Sequence, residues 1–125
     1  MGSEYKNRSF IKRLMFAISG IKEAWEEEKS FRTHIFLALL TIITALIARV
    51  SFYDMALIIV CVFSVLAAEL LNTTVEHMVD LMQPEIDPRV KKIKDMAAGM
   101  VLIVSVGAMG VGVVILLRNL FLRFN

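Results

Sequence analysis

The chain has 125 residues, of which 58% are hydrophobic and 21% charged. A chain this short cannot hide that much apolar surface in one core, so lipid is the expected solvent. The net charge of +2 is too small to point to nucleic acid, and the one cysteine, Cys61, excludes a disulfide framework within one chain.

Residues 1–8 read as a disordered start. The first twenty-nine residues carry too much charge, and no pure apolar core, for a cleavable signal peptide. Residues 9–29 predict an amphipathic helix lying in the membrane interface. Ile11, Leu14, Met15, Ile18, Ile21 and Trp25 recur at helical spacing, with Lys12, Arg13 and Glu23 among them. Trp25 suits headgroup depth, and Gly20 weakens the helix by about 1 kcal/mol relative to alanine, marking a candidate bend.

Three spans follow. The first covers 31–48, with His34 and two threonines as its polar members. The second covers 54–82, ~43 Å if wholly helical. That exceeds a hydrocarbon core of ~30 Å, so its polar end is expected to project into headgroups or cytosol. Pro84 and Pro88 predict a turn over 83–89, and Lys91, Lys92, Lys94 and Asp95 open the third helix. Its apolar part, 96–117, carries no charge. Ala108 and Gly112 there give the small-xxx-small spacing that lets helices approach closely in lipid. There is no internal repeat or low-complexity tract, and residues 1–125 are read as a single all-α membrane domain: a surface helix plus three transmembrane helices. Three spans bury few polar groups alone, so a homo-oligomer with a site between protomers is plausible.

Of the 14 lysines and arginines, seven lie up to Arg32 and one, Arg49, between the first two spans. Four lie between the second and third (Arg89, Lys91, Lys92, Lys94), and two, Arg118 and Arg123, after the third. The positive-inside rule puts the N-terminus and the 83–95 segment in the cytoplasm.

The chemistry-bearing residues cluster at that end. Met55 to Ala68 runs without one charge, and Glu69, Asn72, Glu76 and Asp80 follow. At ~100° per residue these four share a helix face within ~80°. Ionisable groups beside a membrane span are costly and usually functional. Glu69 and Glu76 stand two turns apart, ~10.5 Å along the axis, and cannot chelate one ion unaided. A Mg²⁺ ion takes one or two carboxylates plus phosphate oxygens and water, and Glu76 with Glu28 from the surface helix would serve. Glu69, deeper in the apolar zone, is the better general base, since loss of water makes a carboxylate more basic. Asn72 orients Glu69 or a phosphate oxygen, or caps backbone. Asp80 is as readily a salt-bridge partner of a lysine. Lys94 and Asp95 sit at a helix start, where a polyphosphate would be favoured; Lys91 and Lys92 read as positive-inside anchors. Arg32 suits a phosphate or a lipid headgroup, with snorkelling as the competing reading. His34 lies one turn inside the first span, within reach of a substrate hydroxyl, and His77 packs or faces water. No zinc spacing, glycine-rich phosphate loop or protein-kinase motif is present. A small oligomeric channel or transporter, with Glu69 and Asn72 lining a polar path, and a non-catalytic scaffold are the alternatives.

The run Ala68-Glu69-Leu-Leu-Asn72-Thr-Thr-Val-Glu76-His-Met-Val-Asp80, followed by Lys94-Asp95-Met-Ala-Ala, resembles the signature of the prokaryotic diacylglycerol kinases. Gly20-Ile-Lys-Glu-Ala-Trp25, Glu28 and Phe31-Arg32 match its N-terminal part. The resemblance implies an integral-membrane lipid kinase of the plasma membrane, a homotrimer with composite cytoplasmic sites, and Mg-ATP as phosphoryl donor. By it, Glu69 is the base for the lipid hydroxyl, and Glu28 and Glu76 bind Mg²⁺ with the ATP phosphates. Asn72, Lys94 and Asp95 shape the nucleotide and phosphate site, with Asp80 in support. The loop Glu85-Ile86-Asp87 approaches the nucleotide, and Phe16 lies near its base. Phe31, Arg32 and His34 would meet the lipid. The Phe31-Arg32-Thr33-His34 segment looks like the Gram-positive branch, whose members prefer undecaprenol; the diacylglycerol-preferring branch usually has an acid at the place of His34. Undecaprenol kinase activity is therefore the first expectation and diacylglycerol kinase activity the second.

Overall fold

The computed structural model describes residues 9–83, 85 and 87–124. Within them the chain forms helices α1 (Phe10–Glu27), α2 (Lys29–Ala48), α3 (Phe52–Met82) and α4 (Pro88–Phe124). α2, α3 and α4 are each long and apolar enough to cross a membrane. Residues 1–8, Pro84, Ile86 and Asn125 lie outside the described residues.

The breaks between helices have local causes. Glu28 is extended (φ −107°, ψ 109°) and separates α1 from α2. Arg32, one turn into α2, donates from Nη1 to the carbonyls of Trp25 (2.8 Å) and Glu26 (3.0 Å). It thereby caps carbonyls at the end of α1 that have no partner within the helix, and its charge suits that helix end. α2 ends on Arg49 in the left-handed region (φ 51°). The Val50 N–H reaches the Ala45 carbonyl (3.3 Å) and the Arg49 N–H that of Leu46 (3.1 Å), the paired bonds of a Schellman ending. α3 opens on Ser51, whose hydroxyl accepts from the Asp54 N–H at 3.1 Å. α4 opens on Pro88, the favoured first helical position, behind Asp87, whose Oδ1 accepts from the Arg89 N–H at 2.7 Å.

α3 is the central element, packed along both α2 and α4. Ion pairs fix α4 antiparallel to it: Asp54–Arg118 (2.9 Å) at one end and Asp80–Lys94 (2.5 Å) at the other. Against α2, Glu69 meets His34 (3.5 Å), and Ala45 packs with Ile58 and Ile115 in a small buried cluster. α4 is one helix of 37 residues, ~55 Å long. It carries the basic segment and the apolar span without a break. Most large apolar side chains of the spans face outward, among them Phe63 (65% exposed) and Ile103 (75%). Exposed apolar surface on this scale marks a lipid or partner surface.

Candidate active site

The acidic stripe on α3 grades from buried to exposed along the helix. Glu69 is 3% exposed, Asn72 and Thr73 are buried beside it, Glu76 is half-buried, and Asp80 lies open. Glu69 is buried on the side of α3 that meets α2, and its carboxylate is met by His34 Nε2. A buried carboxylate needs such a partner, because an unpaired one in an apolar setting is too costly. Asn72 Nδ2 donates to Glu76 Oε1 at 3.1 Å, which holds Glu76 against its own helix. Asn72 Oδ1 is buried with no hydrogen-bond partner among the described residues. An orphaned acceptor of this kind calls for an explanation, and a donor or cation supplied by a ligand is one.

Glu28 comes to the same end of α3 by another route. The extended residue between α1 and α2 aims its carboxylate at His77, with Oε1 and Nε2 2.9 Å apart. His77 is the neighbour of Glu76, so Glu28 approaches the helix turn that carries Glu76. No group of three or more His, Cys, Asp or Glu side chains close enough to hold a metal is present among the described residues. The donor set still suits a hard cation. Glu28 and Glu76 offer carboxylate oxygens and Asn72 an unpaired amide oxygen, and Mg²⁺ takes one or two carboxylates and completes its shell with phosphate and water.

Cations stand on the other side. Lys94 pairs with Asp80 across α3 and α4, and Asp95 is held by Lys91 one turn earlier. In the connecting segment, Asp87 accepts from the Arg89 side chain and backbone. The Arg89 guanidinium, and then its backbone N–H, hold the Asp87 carboxyl below the ordinary aspartate range. Glu85 is exposed, and Ile86 lies outside the described residues.

One cavity lies beside the turns of α3 that carry the stripe and another lies along α3 before it, each about 440 Å³. The first lies between α1 and α3, lined by Phe16, Gly20, Glu23, Glu27, Thr73 and His77. The second lies among α2, α3 and α4, lined by His34, Thr41, Cys61, Ser105, Ala108 and Gly112. The structure thus brings Glu69 together with His34, Asn72 with Glu76, and Asp80 with Lys94. Phe16 is on the α1 cavity, Phe31 is buried, and the Arg32 guanidinium is engaged with backbone at the end of α1.

Sequence reasoning missed pairings between helices distant in sequence, His34–Glu69 among them. His77 joins Glu28 across 49 positions, and no local spacing signals that. Asp54–Arg118 joins the far ends of α3 and α4; an acid opening one span and a base closing the next was the available signal.

The family profile described as "Prokaryotic diacylglycerol kinase" matches residues 15–116. A diacylglycerol kinase of Helicobacter pylori is 36% identical over 96 residues, covering 77% of this chain and 75% of that protein. The undecaprenol kinase of Bacillus subtilis is 32% identical over 111 residues, covering 89% of this chain and 90% of that protein.

Proposed function

The chain belongs to the prokaryotic diacylglycerol kinase family of membrane lipid kinases, and from that premise we propose that it transfers the γ-phosphoryl group of Mg-ATP to the hydroxyl of undecaprenol. The observation that carries the proposal is the burial of Glu69, a carboxylate 3% exposed in an apolar span, facing His34, which itself lines an apolar cavity. A group so placed meets a lipid alcohol and not bulk water.

The lipid oxygen attacks the γ-phosphorus, the bond to the β-γ bridging oxygen breaks, and ADP leaves. The alcohol proton passes to Glu69. Phosphoryl transfer needs mainly positioning and neutralisation of charge. Lys94, paired with Asp80, is the cation for the polyphosphate, and Asn72 offers its amide to a phosphate oxygen or to Glu69. Glu28 and Glu76 would hold Mg²⁺, which when bound neutralises the phosphate oxygens. The cavity beside Phe16 is the place for the nucleotide base, with Asp95, Glu85 and Asp87 toward the phosphates and Asp80 in support. Phe31 packs the α1–α2 corner beside the lipid, and Arg32 keeps that corner closed. The site faces the cytoplasm, α1 lies in the interface, and the protein works as a homotrimer.

Undecaprenol is preferred because His34 stands where the diacylglycerol branch usually has an acid, and because the undecaprenol kinase similarity covers more of the chain. Diacylglycerol is the second substrate, favoured by the higher identity of the Helicobacter pylori protein. The test is a rate comparison of both lipids with detergent-purified protein and Mg-ATP. Glu69→Gln is expected to lower kcat by about 10²–10⁴-fold, the usual worth of a general base. Full activity in that variant would remove Glu69 from the role.

A further inference from the structure

Several acids around the stripe are matched by a cation. Glu26 pairs with Lys22, Asp80 with Lys94, Asp87 with Arg89 and Asp95 with Lys91. Glu28 and Glu76 are held differently. Asn72 Nδ2 donates to Glu76 Oε1 at 3.1 Å, and His77 Nε2 lies 2.9 Å from Glu28 Oε1. A carboxylate only accepts, so the ring nitrogen carries the proton of that bond. An amide and a neutral imidazole fix a carboxylate without cancelling its charge. In each acid the second oxygen, Oε2, has no hydrogen bond or ion pair among the described residues.

The backbone at Glu28 is already fixed. Its N–H bonds the Ala24 carbonyl at 3.0 Å, and its own carbonyl accepts from the Arg32 N–H at 3.2 Å. Arg32 pins the end of α1 with its guanidinium. Only the torsions of the Glu28 side chain remain, and the His77 bond restrains them. Packing makes no demand for a histidine there, since its side chain is 52% exposed. One stretch of α3, Asn72 to His77, thus sets the place of both carboxylates. It holds Glu76 within its own helix and Glu28 from the joint between α1 and α2.

We propose that His77 is a positioning residue for the metal site, holding the Glu28 carboxylate by one oxygen and leaving the other for the Mg²⁺ that Glu28 and Glu76 share. The inference rests on the lipid-kinase reading and on Glu28 as a metal ligand. Carboxylates that bind metals are themselves hydrogen-bonded, and losing such a partner typically costs about 10–100-fold in metal affinity. A flexible side chain restrained beforehand loses less freedom when the ion binds. The bond also joins the α1–α2 joint to α3, so two ligands from different helices are set before any cation arrives. A direct contact to the nucleotide is the competing role, because His77 also lines the cavity between α1 and α3.

The test uses the full chain in detergent with Mg²⁺ and a non-hydrolysable ATP analogue. It reads the Mg²⁺ concentration that gives half of the thermal protection, and the same midpoint in the lipid-kinase rate. His77→Ala is expected to raise both midpoints about tenfold, the lower end of the range because the ring is half-exposed. Its Tm without metal should stay near that of wild type. His77→Gln, whose amide donates at a similar reach, should restore most of the loss. In a Glu28→Ala background His77→Ala should add nothing, since no carboxylate is left to hold. An unchanged midpoint in His77→Ala overturns the proposal. So does a lower one, which would mean that His77 keeps Glu28 from the metal. A fully additive double variant overturns it as well and assigns His77 to the nucleotide. A midpoint that Glu28→Ala leaves unchanged removes the metal assignment and this proposal with it, while lipid phosphorylation by wild type would still uphold the kinase reading. A wild-type chain that phosphorylates neither undecaprenol nor diacylglycerol overturns the kinase reading itself.

Discussion

At Glu69 a carboxylate with almost no solvent contact meets a single ring nitrogen, while seven residues on Glu76 is half-exposed and tied by an amide. The two acids therefore suit different work, proton transfer at depth and cation binding nearer water. Glu28→Gln and Glu76→Gln are expected to raise the Mg²⁺ concentration for half-maximal rate by about tenfold or more, at least the loss that an outer-shell partner of a metal ligand causes. A Mg²⁺ titration of the kinase rate checks this, and an unchanged midpoint in both variants removes them from the metal site. Asp87 gives a pH prediction. Its folded-state pKa is depressed by Arg89, so its contribution to stability is present above the ordinary value near 3.8 and is lost as pH falls through the lower folded value. Arg89→Ala removes the guanidinium but keeps the backbone N–H, so it should raise the Asp87 carboxyl toward the ordinary range in an NMR titration, with no change in its charge at pH 7. The stripe itself was legible from helical spacing. Its partners were less so, because His34 and His77 reach Glu69 and Glu28 only through packing of helices distant in sequence.

At the level of single elements, the helix ends carry more information than the helix interiors. Arg49 holds a left-handed conformation that an L side chain adopts at a cost of ~1–2 kcal/mol and that glycine adopts freely. Arg49→Gly is expected to stabilise the protein by about 1 kcal/mol or less, part of the gain being offset by the greater freedom of the unfolded chain. A raised Tm in detergent with unchanged kinase rate is the outcome to look for; a lowered Tm would mean that the Arg49 side chain contributes more than its backbone strain costs. Arg32 acts at the other end of α2. Arg32→Ala removes both hydrogen bonds to the end of α1 and should loosen that corner, seen as faster proteolysis near Trp25. Three long apolar helices were legible because an uncharged run of this length has few other soluble solutions. The continuity of α4 was harder to read: charge changes sharply at Asp95–Met96, yet lysine and aspartate are compatible with helix, so nothing in the backbone stops there.

For the whole molecule, polar contacts at both ends hold a bundle whose apolar core is small. At the end away from the acidic stripe, Asp54 is 4% exposed and receives Arg118, and Arg123 donates to the Ala48 carbonyl. Removing one partner of a buried pair leaves an uncompensated charge. Arg118→Ala is therefore expected to cost about 2 kcal/mol, below the ~3–5 kcal/mol of a fully buried pair because the arginine is half-exposed. Orientation follows from the same two ends. The end with Asp80, Lys91 and Lys94 holds the larger share of positive charge and should face the cytoplasm, while Tyr53 and Asp54 face out. Cys61 is the one native thiol, so in a Cys61→Ala background a single cysteine reports its own side of the membrane. In intact cells a membrane-impermeant maleimide is expected to label Tyr53→Cys and to spare Lys91→Cys until the membrane is opened. Tyr53 is 79% exposed and Lys91 lies on the open surface of α4, so neither change should disturb packing. The reverse labelling pattern would place the acidic stripe away from cytoplasmic ATP, and the proposed phosphoryl transfer could not then take place at Glu69.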